Sequence, residues 1–332
     1  MTLQALIATA DRVFSLERFP IPALKPTEVL VQTLYSGVSV GTEFMVFQHR
    51  LDWGPFPVCT GYQATGEVIG VGSAVDRFSE GDVVYYRSNF APLTLNGTEV
   101  NRCSASHSDF AVVPQDHEIE LLPEGVDPAV GAMFVMPSVG WNAVDMAGIQ
   151  MDELVAMQGL GLIGTGAMLA ARLRGARVVG IELDERRMQL ARDLGIDHII
   201  DARTEDVEAA LEAIQPGGAD VAFEATGLPQ NLDSAFRLAR RHGRFVYLGN
   251  LGSAPVSFNF MVPHTKMLTC FFPCNDGLKP CRDSVLRNIA SGALPWGKTI
   301  SHTVDAQDAP ELYRAIDNKS LPELTGAVIK WN

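Results

Sequence analysis

LVAMQGLGLIGTGAMLAARL, residues 154–173, holds the pattern on which the fold turns. A short apolar run, Leu154 to Gln158, leads into Gly159-x-Gly161-x-x-Gly164 and then into a helix-prone stretch. G-x-G-x-x-G is weak alone and specific when a strand precedes it and a helix follows. Gly159 permits the tight turn, Gly161 lets the backbone approach a pyrophosphate, and Gly164 lets the helix pack on the strand. Leu162 and Ile163 open that helix, whose N-terminal N–H groups and dipole favour phosphate. Glu182 ends the next apolar strand 18 residues beyond Gly164, close to the spacing of roughly 20 expected for the acid that meets the ribose. A carboxylate there accepts bonds from ribose hydroxyls and repels a 2′-phosphate. NAD(H) is therefore expected over NADP(H), a preference that Arg186 and Arg187 soften.

Outward from this stretch the texture differs on the two sides. ARVVGIE, HIIDA, DVAFEATG and GRFVYLGN are short apolar strands separated by helical segments such as ERRMQLARDLG and NLDSAFRLARRHG. That alternation predicts a doubly wound parallel sheet covered on both faces, an α/β Rossmann fold. Before about residue 120 the chain reads as strands instead, in EVLVQTLYSGVSV, GEVIGVGSAV and SHSDFAVVP. The expected division is a β-rich domain over 1–137, a Rossmann domain over 138–274, and a tail over 275–332. That tail, with PELYRAID and TGAVIKW, should fold back onto the first domain.

Bulk properties narrow the classes of function. The 332 residues carry 26 Lys and Arg against 39 Asp and Glu, for a net charge of −13. This argues against a nucleic-acid partner or an anionic membrane, both of which call for a cationic face. The N-terminus lacks the basic head and apolar core of a signal peptide, and no apolar run is long enough to cross a bilayer. Five scattered cysteines suit reduced thiols in a cytoplasm. Cys270, Cys274 and Cys281 match no zinc-module spacing and read as packed thiols.

Several motifs in order, EVLVQTLYSGVSVGTE, GYQATGEVIGVGSAVDRFSEGDVV, LPEGVDPAVGAM, GLGLIG, GADVAFEATG and GRFVYLGN, resemble the medium-chain dehydrogenase/reductase superfamily, the zinc alcohol dehydrogenases. The resemblance spans the chain and implies a GroES-like β domain, a Rossmann domain and a C-terminal return, with the active site in the cleft between domains. The family's metal ligands are then looked for position by position. Ser39 stands where the first Cys belongs, Tyr62-Gln63 replace the His-Glu of the second, and Val135-Met136 occupy the third. The lobe that holds four structural cysteines in the family has only Cys103. No metal is expected at either site. SGVSVGTE without a zinc set is similar to the bacteriochlorophyllide-dehydrogenase-like branch.

Without zinc, another group must stabilise the developing alkoxide of a carbonyl undergoing reduction. Tyr62 is a candidate proton donor, with Gln63 and Ser39 beside it; the alternative is that Tyr62 fills the volume left by the metal. His49, within the loop FMVFQHRLDWGPFP, is a candidate proton relay, and ordinary packing is its alternative. Phe47 and Trp53 in that loop, and Trp141 in SVGWN, are candidate walls of a substrate pocket. By family position Asn250 and Phe272 lie in segments whose backbone meets the carboxamide of the cofactor. Glu43 reads as structural, capping or pairing near the domain junction.

The leading expectation is a zinc-independent, NAD(H)-linked enzyme acting on a small-molecule alcohol/carbonyl pair. A C=C reductase of the quinone or enoyl type is the alternative, and a non-catalytic dinucleotide-binding protein the third. The resemblance implies a homodimer or homotetramer, with VSFNFMVPHTKML near the Rossmann edge as the segment that pairs with its copy.

Overall fold

Leu154–Gln158 becomes the centre of a six-stranded sheet in the computed structural model, which describes residues 1–196 and 198–332. The strand order is His198–Asp201, Arg177–Glu182, Leu154–Gln158, Ala219–Glu224, Ala239–Tyr247 and Thr269–Phe271, all parallel. Leu154–Gln158, the first of these six strands in chain order, lies in the middle, so the order reverses beside it. That reversal creates the crevice at the carboxyl ends of the strands where this fold places ligands. Helices Leu162–Leu173, Glu185–Asp193, Val207–Ile214 and Leu232–Leu238 connect the strands. The core beneath them is aliphatic and aromatic, with Leu154, Val179, Ile181, Phe236 and Phe245 buried.

Two local readings change here. NLDSAFRLARRHG was expected to be helical throughout, but the helix ends at Leu238 and Ala239 already belongs to a strand. Pairing of Ala219 with Ala239 in the ladder supplies backbone partners that outweigh the helical propensity of the arginines. VSFNFMVPHTKML was expected to pair as a strand, yet Met261–Lys266 is a short helix and the edge strand is Thr269–Phe271.

The chain divides into Met1–Phe134 with Leu286–Asn332, and Val135–Val285. The second boundary therefore falls inside the helix Lys279–Ala290, later than residue 275. In the first unit, strand Glu28–Val38 is the hub. It pairs with Ala64–Val71, Phe110–Pro114 and Ala327–Lys330. A second sheet orders Phe14–Pro20, Thr2–Ala8, Val58–Cys59 and Asn101–Arg102.

The C-terminal residues complete this unit. Pro310 in the first turn of helix Ala309–Asp317 leaves no helical bond unmade. Leu312, Tyr313 and Ile316 form its buried stripe. They pack with Phe14, Phe44, Phe47, Ile329 and Trp331 in one core. The five cysteines are free thiols. Among the described residues no helix is long and apolar enough to cross a membrane.

Candidate functional site

The glycine loop has the geometry its sequence requires. Gly159 adopts φ +100°, which an L side chain rarely tolerates. A Cβ on Gly164 would sit 2.2 Å from the Gly159 carbonyl oxygen, so only glycine lets the helix close on the turn. A Cβ on Gly161 would meet nothing within 4 Å. The backbone at Gly161 therefore faces open space, at the start of helix Leu162–Leu173. An anion suits that place, because the first N–H groups of a helix lack partners.

Glu182 ends its strand against this loop. One carboxylate oxygen accepts from Leu160 N at 2.8 Å, and the other from Leu183 N at 2.7 Å and Asp184 N at 3.1 Å. It lines a cavity of about 330 Å³ together with Gly159, Leu183, Asp206, Thr226 and Asn231. The neighbouring cations are engaged by acids. Arg187 lies 3.8 Å from Glu182, Arg186 grips Asp184, and Arg203 pairs with Asp201 and Glu185. Arg186 holds the Asp184 carboxyl down at about 2. The open Gly161 backbone, the free helix start and the carboxylate rim fit a dinucleotide, with Gly159 to Gly164 at the pyrophosphate and Glu182 at the ribose.

In the first unit, Ser39 and Tyr62 come together. The Tyr62 phenol donates to Ser39 Oγ in a short hydrogen bond, and both residues are buried. Thr42, half-buried at the start of helix Thr42–Phe47, favours the ionised form of the phenol. Arg87 lies with its guanidinium carbon 5.6 Å from the centre of the Tyr62 ring, and its Nε donates to the Tyr62 carbonyl at 3.3 Å. Burial pushes the phenol up to about 12, opposed by Ser39, Thr42 and Arg87, with Glu43 adding to the rise. Tyr62 is therefore protonated at neutral pH.

These two positions are where the resemblance would place zinc ligands. Zinc takes thiolate, imidazole or carboxylate. Two neutral hydroxyls bonded to each other do not fit it, and Val135 and Met136 at the third position are buried apolar side chains. Among the described residues, no group of three or more His, Cys, Asp or Glu is placed to hold a metal ion.

Behind Ser39 lies a polar cluster that sequence reading missed. The Glu43 carboxylate, 1% exposed, accepts from Ser39 N at 2.7 Å, Thr60 Oγ1 at 2.6 Å, Tyr313 OH at 2.7 Å and His107 Nε2 at 3.1 Å. His107 Nδ1 meets Ser36 Oγ at 2.8 Å, and Trp331 Nε1 donates to the same oxygen at 2.8 Å. Burial would raise the Glu43 carboxyl, but His107 and the bonds from Thr60 and Ser39 outweigh it and hold the group low. Glu43 thus sits at the heart of a buried hydrogen-bond network. His107 and Tyr313 sit 64 and 270 positions away, so no local pattern could have joined them.

Other candidates are placed elsewhere. His49 is exposed, its ring bonded to the Ala10 carbonyl at 3.3 Å and set against Phe56. It has no bond to Ser39 or Tyr62, so the relay role is withdrawn. Gln63 is fully buried, its amide 3.7 Å from Met133 Sδ and its backbone N–H on Ser106 Oγ, and it acts as scaffold. Phe47 is not a pocket wall: helix Thr42–Phe47 turns it inward, edge-on to Phe14 and Phe44. Trp53 is exposed, with its carbonyl accepting from Asn101 and Cys103. Trp141 donates to Ser284 Oγ at 3.1 Å. Asn250 turns its side chain back to Gly252 N, and Phe272 is exposed and stacked on Tyr247 at 4.3 Å.

Comparison with known proteins agrees with this architecture. The alcohol dehydrogenase GroES-like domain matches residues 25–124, and the zinc-binding dehydrogenase domain matches residues 163–274. The chain belongs to the zinc-type medium-chain dehydrogenase/reductase superfamily. An L-threonine 3-dehydrogenase of Rhizobium johnstonii is 30% identical over 280 residues, covering 77% of this chain and 78% of its own. A sorbitol dehydrogenase of Halalkalibacterium halodurans is 26% identical, covering 78% and 80%. The crystal structure of benzyl alcohol dehydrogenase from Acinetobacter calcoaceticus superposes with a TM-score of 0.86 over the whole of both chains at 20% identity. A dehydrogenase from Sinorhizobium meliloti, bound to NADP, superposes at 0.84 over the whole of both chains with 23% identity.

Proposed function

We propose that this protein is an NAD(H)-linked oxidoreductase that interconverts an alcohol and a carbonyl without zinc, with Tyr62 as proton donor. The observation that carries this reading is the bond between Tyr62 and Ser39, two hydroxyls at positions where the superfamily resemblance expects metal ligands. Relatives named for sorbitol and L-threonine support an alcohol/carbonyl pair. The carboxylates around the ribose position, each close to the local arginines, support NAD(H) over NADP(H).

Held by the Gly159–Gly164 loop and Glu182, NAD(H) would supply or take the hydride. In reduction, negative charge develops on the carbonyl oxygen, and Tyr62 would give that oxygen its phenolic proton. The phenolate left behind accepts hydrogen bonds from Ser39 and Thr42 and faces the charge of Arg87. General acid–base help of this kind contributes about 10²–10⁴-fold.

Exposed Phe258, Phe260, Met261, Met267 and Phe272 beside the edge strand Thr269–Phe271 support association of two or four copies. The decisive experiment is metal analysis of the purified protein, followed by assay of Tyr62→Phe with both nucleotides. Retained fold, no stoichiometric zinc and a loss of about 100-fold or more in kcat would support the reading. Stoichiometric zinc, or unchanged turnover in Tyr62→Phe, would sink it. Strong NADPH preference would favour a C=C reductase.

A further inference from the structure

We infer that Glu43 is a positioning residue for the Tyr62–Ser39 pair, and that the C-terminal return completes it by supplying Tyr313. This deepens the functional reading above and rests on it for its kinetic consequence.

The direction of the hydrogen bonds carries the inference. Trp331 Nε1–H donates to Ser36 Oγ. Ser36 Oγ also lies 2.8 Å from His107 Nδ1, and a Ser36 proton given to that nitrogen continues the line of donors from Trp331. With Nδ1 accepting, the ring hydrogen lies on Nε2 and points at Glu43 and the Tyr313 oxygen. The Tyr313 hydroxyl is then free to donate to Glu43 Oε2. A single chain of donors runs from Trp331 to the carboxylate. Thr60 Oγ1 and Ser39 N add two more, one on each oxygen.

A carboxylate saturated in this way cannot rotate without leaving a buried donor unpaired. Its Oε1 therefore fixes the Ser39 N–H, and with it the place from which Ser39 Oγ meets the phenol. Gly61 shows how tightly the same ring bounds the other side. It has φ +88°, and a Cβ on it would lie 2.6 Å from the His107 ring. Gly61 immediately precedes Tyr62, so His107 limits the backbone that presents the phenol. Ser39 and Tyr62 are thus each held by this cluster, Ser39 through its own N–H on Glu43 and Tyr62 through the backbone of Gly61.

Two variants test the inference, Glu43→Gln and Tyr313→Phe, the second keeping the ring in its apolar pocket while removing one donor. The kinetic probe is NAD⁺ with whichever alcohol of a polyol and aromatic-alcohol panel the unaltered protein oxidises fastest. The expected result is a fall in kcat of about 100-fold for Glu43→Gln and about tenfold for Tyr313→Phe, with KM and NADH affinity unchanged. The second readout is ¹³Cζ-tyrosine NMR, with the Tyr62 signal assigned by its loss in Tyr62→Phe. It should move in both variants. A folded Tyr313→Phe protein with unchanged kcat, or with an unmoved Tyr62 signal, overturns the inference. Should Glu43→Gln not fold, Tyr313→Phe decides alone. Should Tyr62→Phe keep its turnover, the functional reading fails by itself, and the NMR shift still decides whether Glu43 positions the pair.

Discussion

The glycine loop and the hydroxyl pair each sit where a strand gives way to a turn, yet they are assembled over very different stretches of chain. Gly159 to Glu182 are near neighbours in sequence, and two adjacent strands of one sheet bring them together. The cluster around Glu43 takes residues from 36, 39, 43, 60, 107, 313 and 331. A short-range site is specified by local turn and helix chemistry. A long-range one exists only when the first and last parts of the chain have closed on each other. The loop should therefore tolerate loss of distant contacts, whereas the hydroxyl pair should answer to substitutions far away in sequence.

The sharpest way to break this contrast is His107→Leu, which removes the ring between Ser36 and Glu43. Removing one partner of a buried, bonded charge costs about 3–5 kcal/mol. Urea denaturation should register that loss, while NADH affinity of the remaining folded protein stays within about twofold. Weakened NADH binding of equal size would erase the distinction between the two regions. Next in size is Gly164→Ala, whose Cβ would strike the Gly159 carbonyl. It should cost about 1–3 kcal/mol and, unlike His107→Leu, weaken NADH binding measured by fluorescence.

Glu182→Ala sharpens the cofactor side. Loss of hydrogen bonds to a charged acceptor should weaken NADH by about 1.5–3 kcal/mol, roughly tenfold or more. NADPH should be weakened less, so the ratio of the two dissociation constants is the measurement. Equal loss for both would mean that Glu182 does not discriminate between them.

The smallest effect is on the pH dependence of stability. Glu43 is held below its ordinary 4.5 in the folded protein. Below 4.5 the unfolded chain takes up the proton first, so stability falls as pH drops from 4.5 through the lowered folded value. Its contribution is complete above 4.5. Tyr62 behaves oppositely: its folded value of about 12 exceeds the ordinary 10. The contribution is complete below 10 and is lost as pH rises toward 12, because the unfolded state releases its proton first. Denaturation between pH 9 and 12 should show a shallower fall for Tyr62→Phe than for the unaltered protein.

Much of the fold was legible. Period-two apolar runs and the strand–glycine–helix context gave the sheet and its ligand-binding end, because these patterns reflect contacts within about thirty residues. The end of helix Leu232–Leu238 was misjudged because ladder pairing with Ala219 overrode local propensity. Phe47 was misread because an aromatic residue in an apparent loop looks like a pocket wall until a helix turns it inward. Tyr62 and Ser39 could be singled out by family position, but not their mutual bond. Thr42, Arg87, His107 and Tyr313 gave no signal at all, since each acts through a partner distant in the chain or through a ring it faces.

By itself, then, the sequence determined the α/β architecture, the glycine loop with Glu182, and the absence of thiolate and imidazole from the expected ligand positions. Backbone sterics and side-chain chemistry settle those matters residue by residue. Only the tertiary structure decided which hydroxyls meet, that Glu43 is saturated by four donors, and that His49 stands apart. Those outcomes depend on burial and on hydrogen-bond partners brought together from opposite ends of the chain, and burial is a property of the whole fold.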